Sequence, residues 1–507
     1  MENHMTYLFV NNQEIKNDLG NPIPVTYGAA GVSAFDEPIA VPITPVIQID
    51  ALYGLIPREF EVFEANGGTA ETTNTLMKVH TGTAPGGYGV IRSRRILRYR
   101  PGQGALGRFT AGFSTPHANT TQRAGFFAQE QSITIGYDGT QFGILRQNGG
   151  KAVIYKLTIT TPAAGTETAT ITLNGVAYTV SISSTNSNTN ATSIANRVGG
   201  YPGWVVEQVD NTVFFLSQSV GPQAGSFLFS STGAAQGTMA SVQAGVANTL
   251  DWTYQQDFNI DTLDGTGPSG MVLDPSKLNI YQISFRWLGA GQIQFAIENH
   301  DDGNIIAFHH IHYANRHEDV HLDNPSFKLG YIAANLTGSA ATDVHTYGAS
   351  MLGAVEGLRV STNYTTSTSS AKTSLTNNTL HHLLTVRNQL IANNKINLRE
   401  FIARQLSIAV QANDPVEVVL ILNGVMNTGR TYTTINSDGG SAIQSTTTGT
   451  FTSPVPIATY VVPINGSGTF DLSDLGIVVP SGNELSVAVR SGQTIQSVLV
   501  GLTWEEN

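Results

Sequence analysis

The chain has no cysteine among its 507 residues. This absence excludes disulfide scaffolds, thiolate zinc sites, iron–sulfur clusters and cysteine nucleophiles. No run approaches the roughly 18 consecutive apolar residues that a membrane helix needs. The first residues also lack the basic region followed by an apolar run that marks a signal peptide. We therefore expect neither membrane insertion nor secretion through a cleaved leader.

Charge is scarce and unbalanced. Charged residues make up 12% of the chain, about half of the usual ~25%, and the formal net charge is −11. Nucleic-acid-binding proteins usually show a basic footprint, so no nucleic acid is expected as a partner. The motifs that hold common cofactors are also missing or out of context, so no cofactor is expected.

Small and uncharged polar residues take the place of the charges, and glycine alone contributes 52 positions. Short alternating segments recur between turn signals such as Asn174-Gly175 and Asn423-Gly424. Because such dipeptides suit the tight turns of hairpins, the pattern predicts strands rather than helices. We expect an all-β protein with two β-sandwich or jelly-roll-like domains, a small β-rich inserted domain with one helix, and an extended N-terminal arm.

The composition changes along the chain and suggests boundaries. Six prolines in the first 60 residues disfavour helix there. The predicted helix covers 190–198, and the Asn393-Asn394 pair favours a hairpin. The predicted parts are an extended arm (1–60), a discontinuous β-sandwich (61–151 plus 248–360), an inserted β-rich domain (152–247), a Ser/Thr/Asn linker (361–379) and a C-terminal β-sandwich (380–507).

Several runs resemble one family of virion structural proteins. They are YGVIRSRRILRYRPGQGALGRFTAGFSTP (88–116), QRAGFF (122–127), YDGTQFGILR (137–146) and DGTGPSGMVLDPSKLNIYQISFRWLGAGQIQFAIEN (264–299). The family occurs in tailed phages, notably of aquatic bacteria, and in some large algal viruses, where members are assigned to tail fibres or baseplates. The resemblance implies a location in the virion and a role in assembly. It transfers no catalytic residue.

An arginine cluster follows the start of the first of these runs. It comprises Arg92, Arg94, Arg95, Arg98 and Arg100. On one continuous strand, the even-numbered arginines share a face. Arginine suits ion pairs at interfaces, so the cluster is a candidate subunit contact. The alternative is a solvated strand face or pairs within the chain.

Histidines concentrate in FHHIHYANRHEDVH (308–321), which holds five of the 12 in the chain. His310 and His312 lie on one face of a strand. Two imidazoles from each of three chains would form a six-nitrogen set for a divalent transition metal on a trimer axis. His317, Glu318 and His321 match H-E-x-x-H, but Pro325 leaves little room for the helix that a zinc site of this type requires. The alternative is a polar strand and loop.

Asp257, Asn259 and Asp261 alternate oxygen-bearing side chains and are candidate calcium ligands. A hydrogen-bonded turn is the competing interpretation. Tyr201 and Trp204 lie in a Pro-Gly turn of the predicted insertion and form a candidate glycan platform. A buried aromatic pair is the alternative there.

These observations favour a non-enzymatic virion structural protein on the tail, fibre, baseplate or capsid surface, assembled in the host cytoplasm. Its expected partners are copies of itself, as a homotrimer by analogy, and other virion proteins. The alternative is a fibre or spike adhesin that binds a host surface glycan or receptor. An enzyme is not expected, since no G-x-S-x-G or P-loop motif is present.

Overall fold

The computed structural model describes residues 8–10, 13–15, 42–128, 130–336, 342–357, 364–435, 440–452 and 454–506. The chain divides into two compact units, Met1–Ile43 and Thr44–Asn507. In the first unit, β1 (Leu8–Val10) pairs antiparallel with β2 (Gln13–Ile15). Most of the predicted N-terminal arm lies outside the described residues.

The second unit begins with a sandwich of two large antiparallel sheets, with strands numbered in chain order. The first sheet has the order β19 (Thr249–Tyr254), β11 (Gln141–Asn148), β10 (Ser132–Asp138), β9 (Thr120–Phe127), β23 (Lys328–Asn335), β7 (Tyr88–Ser93) and β4 (Phe60–Ala65). The second has the order β22 (Ile305–Ile311), β21 (Ile293–Glu298), β20 (Asn279–Arg286), β8 (Gly104–Phe113), β24 (His345–Gly348), β6 (Leu76–His80) and β5 (Thr69–Thr73), with β25 (Ser350–Glu356) joining β8 to β3 (Ile43–Asp50).

An aromatic core fills the space between these two sheets. Phe126 on the first sheet meets Phe285 on the second edge to face, with ring centroids 5.5 Å apart. Ile47 on β3 is 1% exposed and belongs to the same core. The described end of the predicted arm is therefore a strand of this sandwich. Both sheets combine strands from before and after residues 152–247.

Residues 152–247 form two smaller sheets and a helix. One sheet has the order β15 (Trp204–Val209), β16 (Thr212–Val220), β12 (Ala152–Thr161) and β18 (Gln236–Gln243); the other has β14 (Val176–Ile182), β13 (Glu167–Leu173) and β17 (Leu228–Ser231). The predicted hairpin at Asn174-Gly175 is confirmed, with both residues at positive φ. We call this part the inserted unit.

The helix α1 spans Ser187–Ala195, three residues earlier at each end than predicted. Asn186 explains the shift, because its side chain accepts the backbone N–H groups of Asn188 and Thr189 at 2.8 and 3.2 Å. An asparagine in this position satisfies donors that the first helical turn leaves unpaired. Two 3₁₀ turns, Gln255–Asp257 and Ser473–Leu475, complete the helical segments of the described residues.

The C-terminal sandwich follows. Its five-stranded sheet contains β26 (Tyr364–Leu375), β38 (Ile495–Glu506), β30 (Glu400–Ala412) and β35 (Ser467–Asp471), with β36 (Val478–Pro480) also on β30. Its six-stranded sheet has the order β32 (Thr433–Thr434), β33 (Ala442–Ser445), β27 (His381–Asn388), β37 (Glu484–Ser491), β31 (Val416–Leu422) and β34 (Pro456–Val462). The predicted Asn393-Asn394 hairpin is confirmed as β28 (Ile391–Ala392) and β29 (Lys395–Ile396).

The prediction that residues 361–379 form a linker is wrong over most of the described part of this range. Residues 364–375 form β26, which pairs with β38 in one unbroken register from Tyr364 to Thr373. Threonine fits the pleated surface of a sheet well. Ser370 and Leu375 are buried beneath the strand. The partner strand and the core below it thus order a sequence whose low apolar content suggested a linker.

Candidate binding cleft

A cleft of about 580 Å³ lies between the inserted unit and the C-terminal sandwich. The end of α1 and strand β15 form one wall, through Asn196 and Gln208. The opposite wall consists of the loops after β31 and before β37, including Asn423, Asn427 and Asn483. Amide side chains therefore line both sides of the opening.

A buried charge network forms the base of this cleft. The Glu484 carboxylate pairs with Arg387 at 3.0 Å and with Arg430 at 2.5 Å. It also accepts a hydrogen bond from the Tyr432 hydroxyl. The Arg387 guanidinium stacks 4.2 Å from the centre of the Tyr432 ring. Burial raises the pKa of Tyr432, so its hydroxyl stays protonated and continues to donate.

The inserted unit is attached to this network by its own polar side chains. Gln208 accepts the Tyr432 N–H at 2.8 Å and donates to the Tyr432 carbonyl at 3.1 Å. Glu207 is 3% exposed, and its two oxygens accept the Leu390 N–H at 2.9 and 3.0 Å. Burial raises the pKa of Glu207. The two walls are therefore held in a fixed relation by paired polar groups.

The chemistry of this cleft is that of a polar binding site. Arg430 lies at its base with a side chain 10% exposed. Arg430 Nε has no hydrogen-bond partner among the described residues. Amide groups and fixed guanidinium donors are suited to hydroxyl and carbonyl oxygens, as in sugars. The carboxylates of Glu207 and Glu484 already accept protein donors, so they serve the structure of the site.

The expectation that the even-numbered arginines share one face of a continuous strand is wrong. Strand β7 ends at Ser93, because the chain turns there to bury Ile96 and Leu97 together. Arg92 pairs with Glu61 at 2.8 Å, and Arg94 donates to Asn483 Oδ1 at 2.7 Å. These arginines make contacts within the chain, which was the alternative interpretation.

The remaining arginines of the cluster lie elsewhere. Arg95 is exposed, and its guanidinium donates to the Val46 carbonyl at 3.4 Å. Arg98 is exposed and Arg100 is half-buried. A subunit contact through Arg95 and Arg98 stays a prediction.

The two candidate metal histidines are neighbours. The rings of His310 and His312 are 5.6 Å apart and nearly perpendicular. The Nε2 atom of His310 is buried without a partner among the described residues. Burial lowers the pKa of His310, which favours the neutral imidazole. The described part of the chain holds no group of three His, Cys, Asp or Glu side chains placed for a metal, so the trimer-axis site stays a prediction.

The H-E-x-x-H match does not fall on a helix. Residues 317–321 form an irregular loop. The His317 ring stacks on Tyr313 with centroids 4.1 Å apart, whereas His321 is fully buried. The two histidines therefore do not present one face, and the helical zinc geometry is absent from this loop.

The candidate calcium ligands do not converge. Asn259 forms two hydrogen bonds with the backbone of His310, at 2.8 and 2.9 Å. Asp261 is 3% exposed and accepts the N–H groups of Leu263 and Ser269 at 2.9 and 2.8 Å. Asp257 is exposed at the end of a 3₁₀ turn. The alternation thus encodes hydrogen-bonded turns, and the calcium expectation has no support in this geometry.

The expectation that Tyr201 forms part of an exposed glycan platform is also wrong. Its side chain is 4% exposed in the core of the inserted unit, and its hydroxyl donates to the Ile194 carbonyl at 2.8 Å. Trp204 is half-buried and packs edge to face on Phe227, with centroids 5.7 Å apart. These aromatics stabilise the inserted unit.

The residues of the cleft were missed by the sequence analysis. Arg387 and Glu484 are 97 positions apart, and neither belongs to a recognisable motif. Only a weak signal in the sequence pointed to these residues. They are charged residues within otherwise apolar strands, in a chain that has few charges. A buried charge requires a partner, but the sequence does not show which one.

Comparison with known proteins gives little further guidance. No family model and no curated protein matches the chain. Among solved structures, one titled "Life in the extremes: atomic structure of Sulfolobus Turreted Icosahedral Virus" is 9% identical with a TM-score of 0.16, covering 89% of this chain and 92% of that one. The Faustovirus major capsid protein is 8% identical with a TM-score of 0.08, covering 88% and 90%. Similarity at these scores carries no argument about fold or function. Among the described residues, no helix is both long and apolar enough to cross a membrane.

Proposed function

We propose that this chain is a virion structural protein that acts through subunit contacts and has no enzymatic activity. The sequence resemblance over 88–146 and 264–299 suggests the virion. The structural observation that supports a contact role is the outer face of the five-stranded C-terminal sheet. A tail, fibre, baseplate or capsid-surface position is equally compatible with this role.

The middle of that outer face consists of small, uncharged side chains in register across four strands. One row is Ser369, Gly501, Ser407 and Thr469, and the next is Ala371, Leu499, Ala409 and Ser467. Leu499 lies in the middle and is 52% exposed. A surface that only faces water usually mixes charges of both signs. Covering these two rows removes no charge from water, so a neighbouring subunit can pack on them at small desolvation cost.

The test is the composition of purified particles. Mass spectrometry of particles from infected cells should find this chain at a fixed ratio to the main shell protein. Immunogold labelling should then place it on the tail or on the capsid. Presence in the infected-cell lysate together with absence from purified particles would overturn the proposal.

The cleft supports a second candidate function, a receptor- or glycan-binding adhesin. Its amide and guanidinium groups suit a polar ligand, and its walls are fixed. The purified chain should then bind particular glycans on an array. Asn196→Ala changes the cleft wall, whereas Thr189→Ala changes an exposed residue on the same helix. Loss of binding in the first variant alone supports the adhesin, and equal binding by both overturns it.

A further inference from the structure

We infer that the outer edge of β26 pairs antiparallel with β26 of a second copy of this chain, about a two-fold axis at Ser369. This inference rests on the proposed structural role and names the partner and the register of one contact. We assign a second copy of this chain as the partner because the β26 edge is complementary to itself. A two-fold contact between identical chains requires such a surface.

The edge is open in the part of the chain that the structure describes. There, β26 is the first strand of its sheet and pairs with β38 alone. The ladder runs from Tyr364 to Thr373 without a bulge. An edge strand of this length carries a row of unpaired N–H and C=O groups on its outer side, which can accept another strand.

Devices that usually protect an edge are nearly absent from β26. Its sequence YTTSTSSAKTSL contains no proline and one charged residue, Lys372. The Lys372 ammonium donates to the Thr446 carbonyl, so it is turned toward the adjacent sheet and away from the edge. Natural edges are commonly blocked by lysine, proline, bulges or short length.

The other edge strands in the described residues are all shorter than β26, and several of them also carry acidic residues or proline. Strand β4 carries Glu61 and Glu64, and β19 carries Asp251. Strand β34 begins with Pro456 and has 7 residues, against 12 in β26. At these edges, the same strand of a second copy would face acidic side chains or form a shorter ladder. This comparison selects β26.

The side-chain pattern restricts the register. Thr365, Ser367, Ser369, Ala371 and Thr373 face outward, and the residues between them face the core. Two copies keep these faces aligned only if the axis passes through a residue. Ser374 has a left-handed backbone, with φ of 55°, so the regular strand ends before it. An axis at Ser369 gives a regular ladder over 365–373, and an axis at Thr368 gives one of equal length over 364–372. We assign the Ser369 register, and the cysteine variants described below distinguish the two, because with an axis at Thr368 residue 369 faces residue 367.

In this register, every facing pair is compatible. Thr365 faces Thr373, Ser367 faces Ala371, and Ser369 faces its own copy. No like charges oppose each other, and Lys372 faces Thr366. Threonine and serine pairs across strands are favourable, whereas like charges directly opposite are unfavourable.

The chain is free of cysteine, so a single introduced thiol reports this register directly. In Ser369→Cys, the two thiols lie on facing residues, about 5 Å apart between Cα atoms. In the matched control Ser367→Cys, each thiol faces Ala371, and the thiols are about 13 Å apart along the strand. A short bis-maleimide should therefore link most of the Ser369→Cys chains as dimers and few of the Ser367→Cys chains.

Light scattering provides an independent readout. The wild-type chain should show twice its 54.0 kDa mass, and Ser369→Glu should shift it to monomer by placing two carboxylates opposite each other. Ser369→Glu should keep the wild-type circular dichroism spectrum, since residue 369 is exposed in the single chain, and it can lose only the part of the Tm that the partner contributes. Equal cross-linking in both cysteine variants, or a folded chain that stays monomeric, overturns the inference. A trimer without Ser369→Cys links supports the homotrimer expectation and overturns the pairing.

The outcome is separable from the proposed function. If particles contain the chain but Ser369→Cys links it to a different virion protein, or to nothing, the self-pairing fails and the structural role stands. If the purified chain dimerises at Ser369 but is absent from particles, the structural role fails and the pairing stands.

Discussion

Glu484 and Arg430 form a buried ion pair beneath the cleft, with 2.5 Å between Oε1 and Nη1 and side chains 6% and 10% exposed. Arg387 shares the same carboxylate from the neighbouring strand β27. One buried acidic group therefore pairs with two cations, of which Arg387 is 25% exposed. Removing a single partner from such a network leaves charges that the interior cannot solvate.

The first prediction concerns this carboxylate. Glu484→Gln should lower the free energy of unfolding by about 3–5 kcal/mol, since both arginines lose the carboxylate that they share. Urea denaturation of the full chain measures this change. Glu417→Gln is the matched control, because its pair with Arg490 is solvent-exposed and should contribute less than about 1 kcal/mol. Equal effects of the two substitutions would contradict the buried-network interpretation.

The second prediction concerns Glu167 in the inserted unit. Its carboxylate accepts the N–H groups of Ala164, Ala234 and Ala235 at 2.9–3.0 Å and the Ser231 hydroxyl at 2.7 Å. The Ala235 N–H, and next the Ser231 hydroxyl, lower the pKa of Glu167 from 4.5 to about 2. A lowered carboxyl pKa contributes stability that is complete above the unfolded pKa.

The stability advantage of wild type over Glu167→Gln should therefore be largest above about pH 5 and should shrink as the pH falls from 4.5 toward 2. Urea titrations at several pH values measure the difference. Ser231→Ala removes one donor and should give a smaller, similarly pH-dependent loss. A difference that does not change with pH would show that the hydrogen bonds do not favour the charged form.

The third prediction separates packing from glycan binding at Tyr201. Tyr201→Phe should lower the free energy of unfolding by about 1 kcal/mol, since the Ile194 carbonyl loses one of its donors. Tyr201→Ala should lower the free energy of unfolding by about 3–5 kcal/mol, because it leaves a cavity in the inserted unit. Tyr53→Ala changes a tyrosine that is 89% exposed and should stay within about 0.5 kcal/mol of wild type. A Tyr201→Ala variant of unchanged stability that loses glycan binding would restore the platform hypothesis.

The fourth prediction concerns calcium. Neither CaCl2 nor a chelator should shift the Tm, because the oxygens of Asn259 and Asp261 already accept backbone N–H groups. Differential scanning fluorimetry measures this directly. A rise of several degrees with CaCl2 that disappears in Asp261→Asn would contradict the hydrogen-bonded turn and support a site at Asp257, Asn259 and Asp261.

Local signals in the sequence predicted local structure well. The Asn174-Gly175 and Asn393-Asn394 turns are hairpins because positive φ at these residues is a property of the residues themselves. The all-β class follows from the same short-range pattern. Helix α1 was predicted three residues too late in the chain, because its start depends on the cap that Asn186 forms.

Errors arose where a distant segment decides the outcome. The run 364–375 is a strand because β38 and the core beneath it are available, although its own composition suggested a linker. The arginine strand ends at Ser93 because Ile96 and Leu97 are both buried. In each case, tertiary burial outweighs the local pattern.

The sequence by itself determined the absence of thiol chemistry, the low charge, the strand-rich class and the turns, since each depends on residue identity or on neighbours in the chain. Only the tertiary structure decided which charges meet at Glu484 and that Tyr201 belongs to a core. It also decided which strand forms an open edge. Those outcomes depend on contacts between residues far apart in the chain, and composition and spacing do not specify which distant groups come together.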